Sequence, residues 1–155
     1  MTREELADLA PEDLLALCCY GEARGEPVEG QIAQMWAIRN RVTDPKKRFG
    51  NDYAGVILRP KQFSCLNPDD PATPRNEEDP NLDHLLALAA RIEDSLALLE
   101  QPFTQIHCLA RGIVIRDIQD NTGGANHYHA TKISPDWAFG KEPTVTIGHH
   151  AFYRL

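Results

Sequence analysis

Glu22 is the residue of this chain best placed to do chemistry. It stands in the run Cys19-Tyr20-Gly21-Glu22-Ala23-Arg24-Gly25-Glu26-Pro27. Leu14, Cys18 and Glu22 follow one another at spacing four, as do Leu15 and Cys19, with Glu22 three further on. On a helix these positions share one stripe, so an apolar stripe ends in an acid. A partly dry surround and the negative end of the helix dipole both disfavour the carboxylate, and each raises its pKa. That suits a general acid near neutral pH. The plain alternative is a solvated glutamate paired with Arg24, and position by itself favours it. The histidines offer a second chemistry. His127-x-His129 on a strand, with His149 or His150 and an acid, would make an open zinc site. The chain has no His-Glu-x-x-His spacing, and histidines also serve as hydrogen-bonded groups in sheets. Neither a metal nor any other cofactor is therefore expected.

The elements that must hold Glu22 can be read from punctuation and period. A first helix is predicted from about Pro11 to Ala23 or Arg24, with Glu12 and Asp13 at its positive end and Gly25 available as a left-handed stop. Pro27 opens a second helix to about Val42, with Ile32, Met35, Trp36 and Val42 as a buried stripe and Gly30, Ala33 and Ala37 permitting close packing. Residues from Thr43 to Asn81 are broken by many prolines and glycines and read as a long loop. Its apolar anchors are Val56-Ile57-Leu58 and Gln62-Phe63-Ser64-Cys65. A loop of that length is often functional and could form one wall of a groove. A third helix spans about Leu82 to Glu100, carried by Leu82, Leu85, Leu86, Ala89, Ile92, Leu96 and Leu99. Thr104 to Ile118 is ambiguous between helix and strand at Ile113-Val114-Ile115 and is assigned as a fourth helix. After the turn Asn121-Thr122-Gly123-Gly124, extended segments are expected over Asn126 to Thr131, Pro143 to Ile147 and His149 to Tyr153, with Gly148 as a bulge or turn. The class is α+β and mainly helical, with a small irregular sheet near the C-terminus.

Bulk properties narrow the function. A chain of 155 residues fits one domain with a proper core, 1–155. The net charge of -7, with no concentrated Lys and Arg face, argues against nucleic acid as a partner. No apolar run approaches the about 20 residues of a membrane span. The N-terminus Met1-Thr2-Arg3-Glu4-Glu5 lacks the basic-then-apolar order of a signal peptide. Synthesis in the cytoplasm is expected, with retention there or release by a route that needs no signal. Cys18, Cys19, Cys65 and Cys108 form no Cys-x-x-Cys pair and are expected as reduced thiols, a Cys65–Cys108 bridge being the alternative.

Several runs together resemble the cell-wall hydrolase family of the spore-cortex-lytic, SleB-like type. They are Gly21-Glu22-Ala23-Arg24-Gly25-Glu26-Pro27, Glu29-Gly30-Gln31, Asn40-Arg41-Val42, Gln62-Phe63-Ser64-Cys65, Thr122-Gly123-Gly124-Ala125 and Asn126-His127-Tyr128-His129-Ala130. The closing Thr146-Ile147-Gly148-His149-His150-Ala151-Phe152-Tyr153 is similar to that family's C-terminus. The likeness covers roughly residues 12 to 154. It implies a lysozyme-like fold and cleavage of peptidoglycan glycan strands between N-acetylmuramic acid and N-acetylglucosamine. The family's catalytic acid falls on Glu22. Spore members usually carry a signal peptide and a wall-binding repeat domain, so the resemblance points to a phage-type or gene-transfer-particle lysin acting on the bacterial wall.

Glycosidic cleavage needs a proton on the leaving oxygen as an oxocarbenium-like centre develops. A hydrolytic lysozyme adds a second carboxylate, whereas a lytic transglycosylase can work with one. Glu26 lies a full turn beyond Glu22 and past a glycine break, so it need not face the cleft, and dipole compensation at the start of the second helix is expected of it over catalysis, while Asp44, Asp52 and Asp120 remain open as second carboxylates. Substrate contacts are expected from Gln62 and Ser64 on the long loop and from Asn126, Tyr128, and His127 or His129 opposite. Strand alternation sets His127 and His129 on one face and Tyr128 on the other, and family likeness favours Tyr128. Trp36 is expected in the core, and Trp137 as a cap on it or a sugar stack. Two rival functions stand beside this one: a metal-dependent peptidoglycan amidase or peptidase using the histidines, and a non-catalytic wall-binding or particle-structural module.

Overall fold

The computed structural model describes residues 1–69, 80–94 and 100–155. Its hub is α1, Pro11–Ala23, which opens with Pro11 and has Glu12 and Asp13 in its first turn. Every residue from Leu14 to Tyr20 is buried, so this helix is enclosed on all sides and not along one stripe only. Helix α2, Val28–Val42, packs beside it. The short α3, Tyr53–Ile57, then α4, Leu82–Ala89, and α5, Phe103–Val114, complete the shell around it. His107 Nε2 meets Asp13 Oδ1 at 2.6 Å and ties α5 to the start of α1.

Three expectations about the helices need correction. Gly25 is not left-handed. Helix α1 ends through Arg24 in right-handed geometry, and the Glu26 N–H donates to the Ala23 carbonyl at 3.0 Å. The long loop contains α3, which the Asp52 side chain caps by accepting from the Gly55 N–H at 2.7 Å. The third helix stops at Ala89 and gives way to tighter turns, in which Arg91 N–H donates to Leu88 O and Ile92 N–H to Ala89 O. Leu96 and Leu99 lie outside the described residues. The ambiguous fourth segment is helical, as assigned, over Phe103–Val114.

Three short strands, β1 His127–Ala130, β2 Val145–Ile147 and β3 His150–Tyr153, form an antiparallel sheet in the order β1-β3-β2. In its register His127 faces Tyr153, Tyr128 faces Phe152, and Val145 faces Phe152 from the other side. Phe152 is fully buried against Ala33 and Ala37 of α2, with Ala125 beside them. The small residues of α2 are what let the sheet come this close, and burying a ring of that size stabilises by about 2 kcal/mol. Trp36, on a neighbouring flank of α2, is core, and its indole N–H donates to the Ile118 carbonyl at 3.1 Å. All four cysteines are free thiols, with Cys65 buried and Cys108 exposed, so no Cys65–Cys108 bridge forms.

Candidate active site

The last turn of α1 brings Glu22 out of the core to the edge of a cleft of about 370 Å³, which Arg24, Glu26, His149 and His150 also line. Glu22 is half-buried, and its Oε1 is shielded from solvent. Glycine at position 21 sets this geometry. A Cβ there would lie 2.5 Å from Cys65 Sγ and 2.7 Å from Cys65 Cβ. The 3-10 turn Ser64–Leu66 can therefore press onto α1 only where a side chain is missing, one residue before the acid.

On its inner side Glu22 lies against buried thiols and a buried phenol. Hydrogen bonding with Cys18, burial and the charge of Glu22 together push the Cys65 thiol far up. Burial first, then Cys18 and Glu22, does the same to the Cys19 thiol. Burial and the charge of Glu22 hold the Tyr128 phenol well above its ordinary value. These groups stay neutral at physiological pH. Tyr128 comes to this place from β1. Its hydroxyl accepts from Gln34 Nε2 at 3.3 Å, and Gln34 is itself fully buried within α2.

The second carboxylate of the cleft is Glu26, which corrects the expectation that it merely compensates a helix dipole. Its side chain is 6% exposed. Oε1 accepts from the His149 main-chain N–H at 3.0 Å and lies 2.6 Å from His150 Nδ1, while Oε2 lies 2.8 Å from His149 Nδ1. Burial pushes the Glu26 carboxyl up, but the bonds from His149 and the nearby His150 outweigh it, so it titrates below its ordinary range. Burial likewise holds the His150 imidazole below its ordinary value, against the pull of Glu26.

The other residues singled out from sequence are distributed over several places. Tyr128 lies on the Glu22 side of the sheet and His127 and His129 on the other, as strand alternation requires. Trp137 packs against both histidines, with ring centroids at 5.2 and 5.6 Å, and caps that far face. His129 Nε2 meets the Tyr153 hydroxyl at 3.0 Å. Asn126 is buried and holds the C-terminus. Its Nδ2 donates to Leu155 O, and its Oδ1 accepts from the Leu155 N–H and meets His127 Nδ1. The structure does not bring Asn126, His127 or His129 to Glu22. Ser64 is exposed at the start of the turn that carries Cys65, and Gln62 is half-buried just before it. The three loop aspartates each hold the fold. Asp44 is chelated by Arg48, Asp52 caps α3, and Asp120 accepts from Thr122 N–H and Oγ1, Gly124 N–H and Asn40 Nδ2. Among the described residues no three His, Cys, Asp or Glu side chains gather closely enough to hold a metal ion.

Two larger hollows lie elsewhere. One, of about 590 Å³, has Arg48 and Arg59 but no acid in its lining. The other, of about 550 Å³, runs past His129 to the exposed Phe139. Neither contains Glu22. The residues that sequence reasoning missed are Glu26, His149 and His150 as a group. Glu26 and His149 stand 123 positions apart, and no local pattern links them.

Known proteins share both sequence and fold with this chain. The family model for cell wall hydrolases matches residues 25–153, beginning just after Glu22. The spore cortex-lytic enzyme of Bacillus subtilis is 51% identical over 53 residues, which is 34% of this chain and 17% of that protein. The spore cortex-lytic enzyme of Bacillus cereus is 45% identical over 53 residues, again 34% of this chain and 20% of that protein. The chain thus matches a fifth or less of those relatives' own length. In fold it is similar to the catalytic domain of the Bacillus cereus SleB protein, with a TM-score of 0.57 at 24% identity, covering 94% of this chain and 91% of the other. The catalytic domain of the germination-specific lytic transglycosylase SleB from Bacillus anthracis gives a TM-score of 0.58 at 24% identity, with 94% and 97% covered.

Proposed function

The chain belongs to the cell wall hydrolase family, and from that premise we propose that it cleaves peptidoglycan glycan strands as a lytic transglycosylase with Glu22 as its acid and base. The observation that carries the reading is the unequal state of the cleft's two carboxylates. Glu22 is half-buried, with one oxygen shielded from solvent and buried thiols and the Tyr128 phenol on its inner side. Glu26 has both oxygens engaged by His149 and His150, so neither is placed to activate a water. One working carboxylate suffices for transglycosylation and not for the two-carboxylate hydrolytic scheme.

In the proposed reaction Glu22 gives its proton to the glycosidic oxygen between N-acetylmuramic acid and N-acetylglucosamine. The bond from the muramic C1 to that oxygen breaks, and positive charge develops on C1 and the ring oxygen. The 6-hydroxyl of the same muramic residue attacks C1, and its proton passes to the Glu22 carboxylate, which regenerates the acid. No water is consumed and the product ends in a 1,6-anhydro ring. The tethered nucleophile contributes through proximity. Tyr128, close enough to feel the Glu22 charge and held by Gln34, backs the acid from the sheet, and Ser64 is offered to the glycan from the neighbouring turn.

Mass spectrometry of the soluble products from purified peptidoglycan tests this. The reading predicts disaccharide peptides lighter by one water and resistant to borohydride reduction. Reducing muramic ends would mean that water attacks, and free peptides with intact glycan would move the activity to another bond altogether.

A further inference from the structure

We propose that His150 is a substrate-positioning residue of the Glu22 cleft, clamped by Glu26 so that its Nε2 accepts a hydrogen bond from a hydroxyl or acetamide N–H of the bound sugar. The inference rests on the cleft being a glycan site and goes beyond it by assigning one wall of the cleft to one kind of sugar group.

The argument begins with the turn between β2 and β3. Gly148 takes φ 57, and a Cβ on it would lie 3.2 Å from both Glu26 Oε2 and Pro27 Cδ. The hairpin is therefore seated closely on the α1–α2 connection, with even a Cβ at position 148 tighter than ordinary contact. That seating sets His149 and His150 astride one buried carboxylate. A carboxylate so buried is costly unless fully hydrogen-bonded, and both Glu26 oxygens have partners. The two histidines are not equivalent. His149 is 84% exposed and braces Glu26 from outside through its main-chain N–H and its ring. His150 is 14% exposed, and its ring stands edge-on to Tyr128, with centroids at 5.2 Å and planes at 89°.

The ring of His150 is thus held from two directions, by the close ion-pair contact of Nδ1 with Glu26 Oε1 at 2.6 Å and by Tyr128 on its flank. Its Nδ1 is shielded from solvent, so the exposed part of the side chain is the edge that carries Nε2. That edge lines the same cleft as Glu22. An imidazole whose Nδ1–H faces a carboxylate is held in the tautomer that leaves Nε2 as an acceptor. An acceptor selects a donor, and N-acetylated sugars offer hydroxyls and acetamide N–H groups. One such bond is worth about tenfold in affinity.

The test measures binding apart from cleavage, using the Glu22→Gln protein and a soluble tetrasaccharide of alternating N-acetylglucosamine and N-acetylmuramic acid, followed by calorimetry. His150→Ala added to that background should weaken binding about tenfold. His150→Phe, which keeps a ring against Tyr128 but has no acceptor, should do the same. His150→Gln, whose amide carbonyl can accept, should recover most of the loss. Glu26→Ala should weaken binding to a similar degree, and Glu26→Ala with His150→Ala should cost no more than either alone, because one acts through the other. Unchanged affinity in both His150→Ala and His150→Phe overturns the inference while leaving the proposed function standing. A strictly additive double variant overturns the clamp. If the Glu22→Gln protein with His150 intact binds no glycan, both readings fail together. Melting temperatures confirm that each variant is folded at the assay temperature.

Discussion

Gly21→Ala puts the geometry beneath Glu22 to a direct test. Helix propensity by itself favours alanine over glycine in α1 by about 1 kcal/mol. Against that, the new methyl would sit 2.5 Å from Cys65 Sγ, 2.7 Å from Cys65 Cβ and 3.2 Å from Leu85 Cδ1. Rotation of the Cys65 side chain could relieve the first contact but not the second, so the Ser64–Leu66 turn itself must move. Overpacking of this kind costs about 1–3 kcal/mol, and a collision with a Cβ places it near the upper end. The net effect is a loss of about 2 kcal/mol. For a chain of this size that lowers the melting temperature by about 6 °C, at about 3 °C per kcal/mol. Differential scanning calorimetry gives the answer. In a Cys65→Ala background the penalty should shrink, since the 2.5 Å contact goes and the 2.7 Å one stays. An unchanged or higher melting temperature for Gly21→Ala would refute the close approach of the Cys65 turn to the acid.

Three further expectations follow from particular side chains. Burial and the nearby Arg41 lower the His127 pKa from 6.5 to about 4, so the folded state resists its protonation. The stability this contributes is complete above pH 6.5 and is lost as pH falls toward about 4, so His127→Asn should flatten the melting temperature against pH across that window. Asp120→Ala leaves Thr122, Gly124 and Asn40 donors without their acceptor and should cost about 3 kcal/mol in urea unfolding. Glycan cleavage should survive EDTA, since the proposed chemistry runs through a carboxyl proton; loss of cleavage restored by added zinc would contradict it.

What was legible in the sequence is what local chemistry decides. Pro11 and the period of Leu14, Leu15, Cys18 and Cys19 place α1 and the position of Glu22 at its end. The alternation of His127, Tyr128 and His129 separates the tyrosine from the two histidines, but which face turns to Glu22 is decided only by the packing of the sheet on α2. Short or long-range features were not legible. Helix α3 has only five residues, too few to show a period, and exists because Asp52 caps it. Helix α4 ends at Ala89 although the leucine spacing runs on, because turn hydrogen bonds replace helical ones there. From sequence Glu26 reads as dipole compensation at a helix start. Its partners arrive on a hairpin from the far end of the chain, and only the folded sheet brings them together.

The central claim is that the carboxyl of Glu22 supplies the proton for bond cleavage, and Glu22→Gln tests it most directly. The amide keeps the size and hydrogen-bonding shape of the side chain but has no proton of suitable acidity. Release of soluble glycan fragments from purified peptidoglycan should fall about 10³-fold while the melting temperature stays close to that of the parent protein. A folded Glu22→Gln protein that releases fragments at the parent's rate would contradict the account.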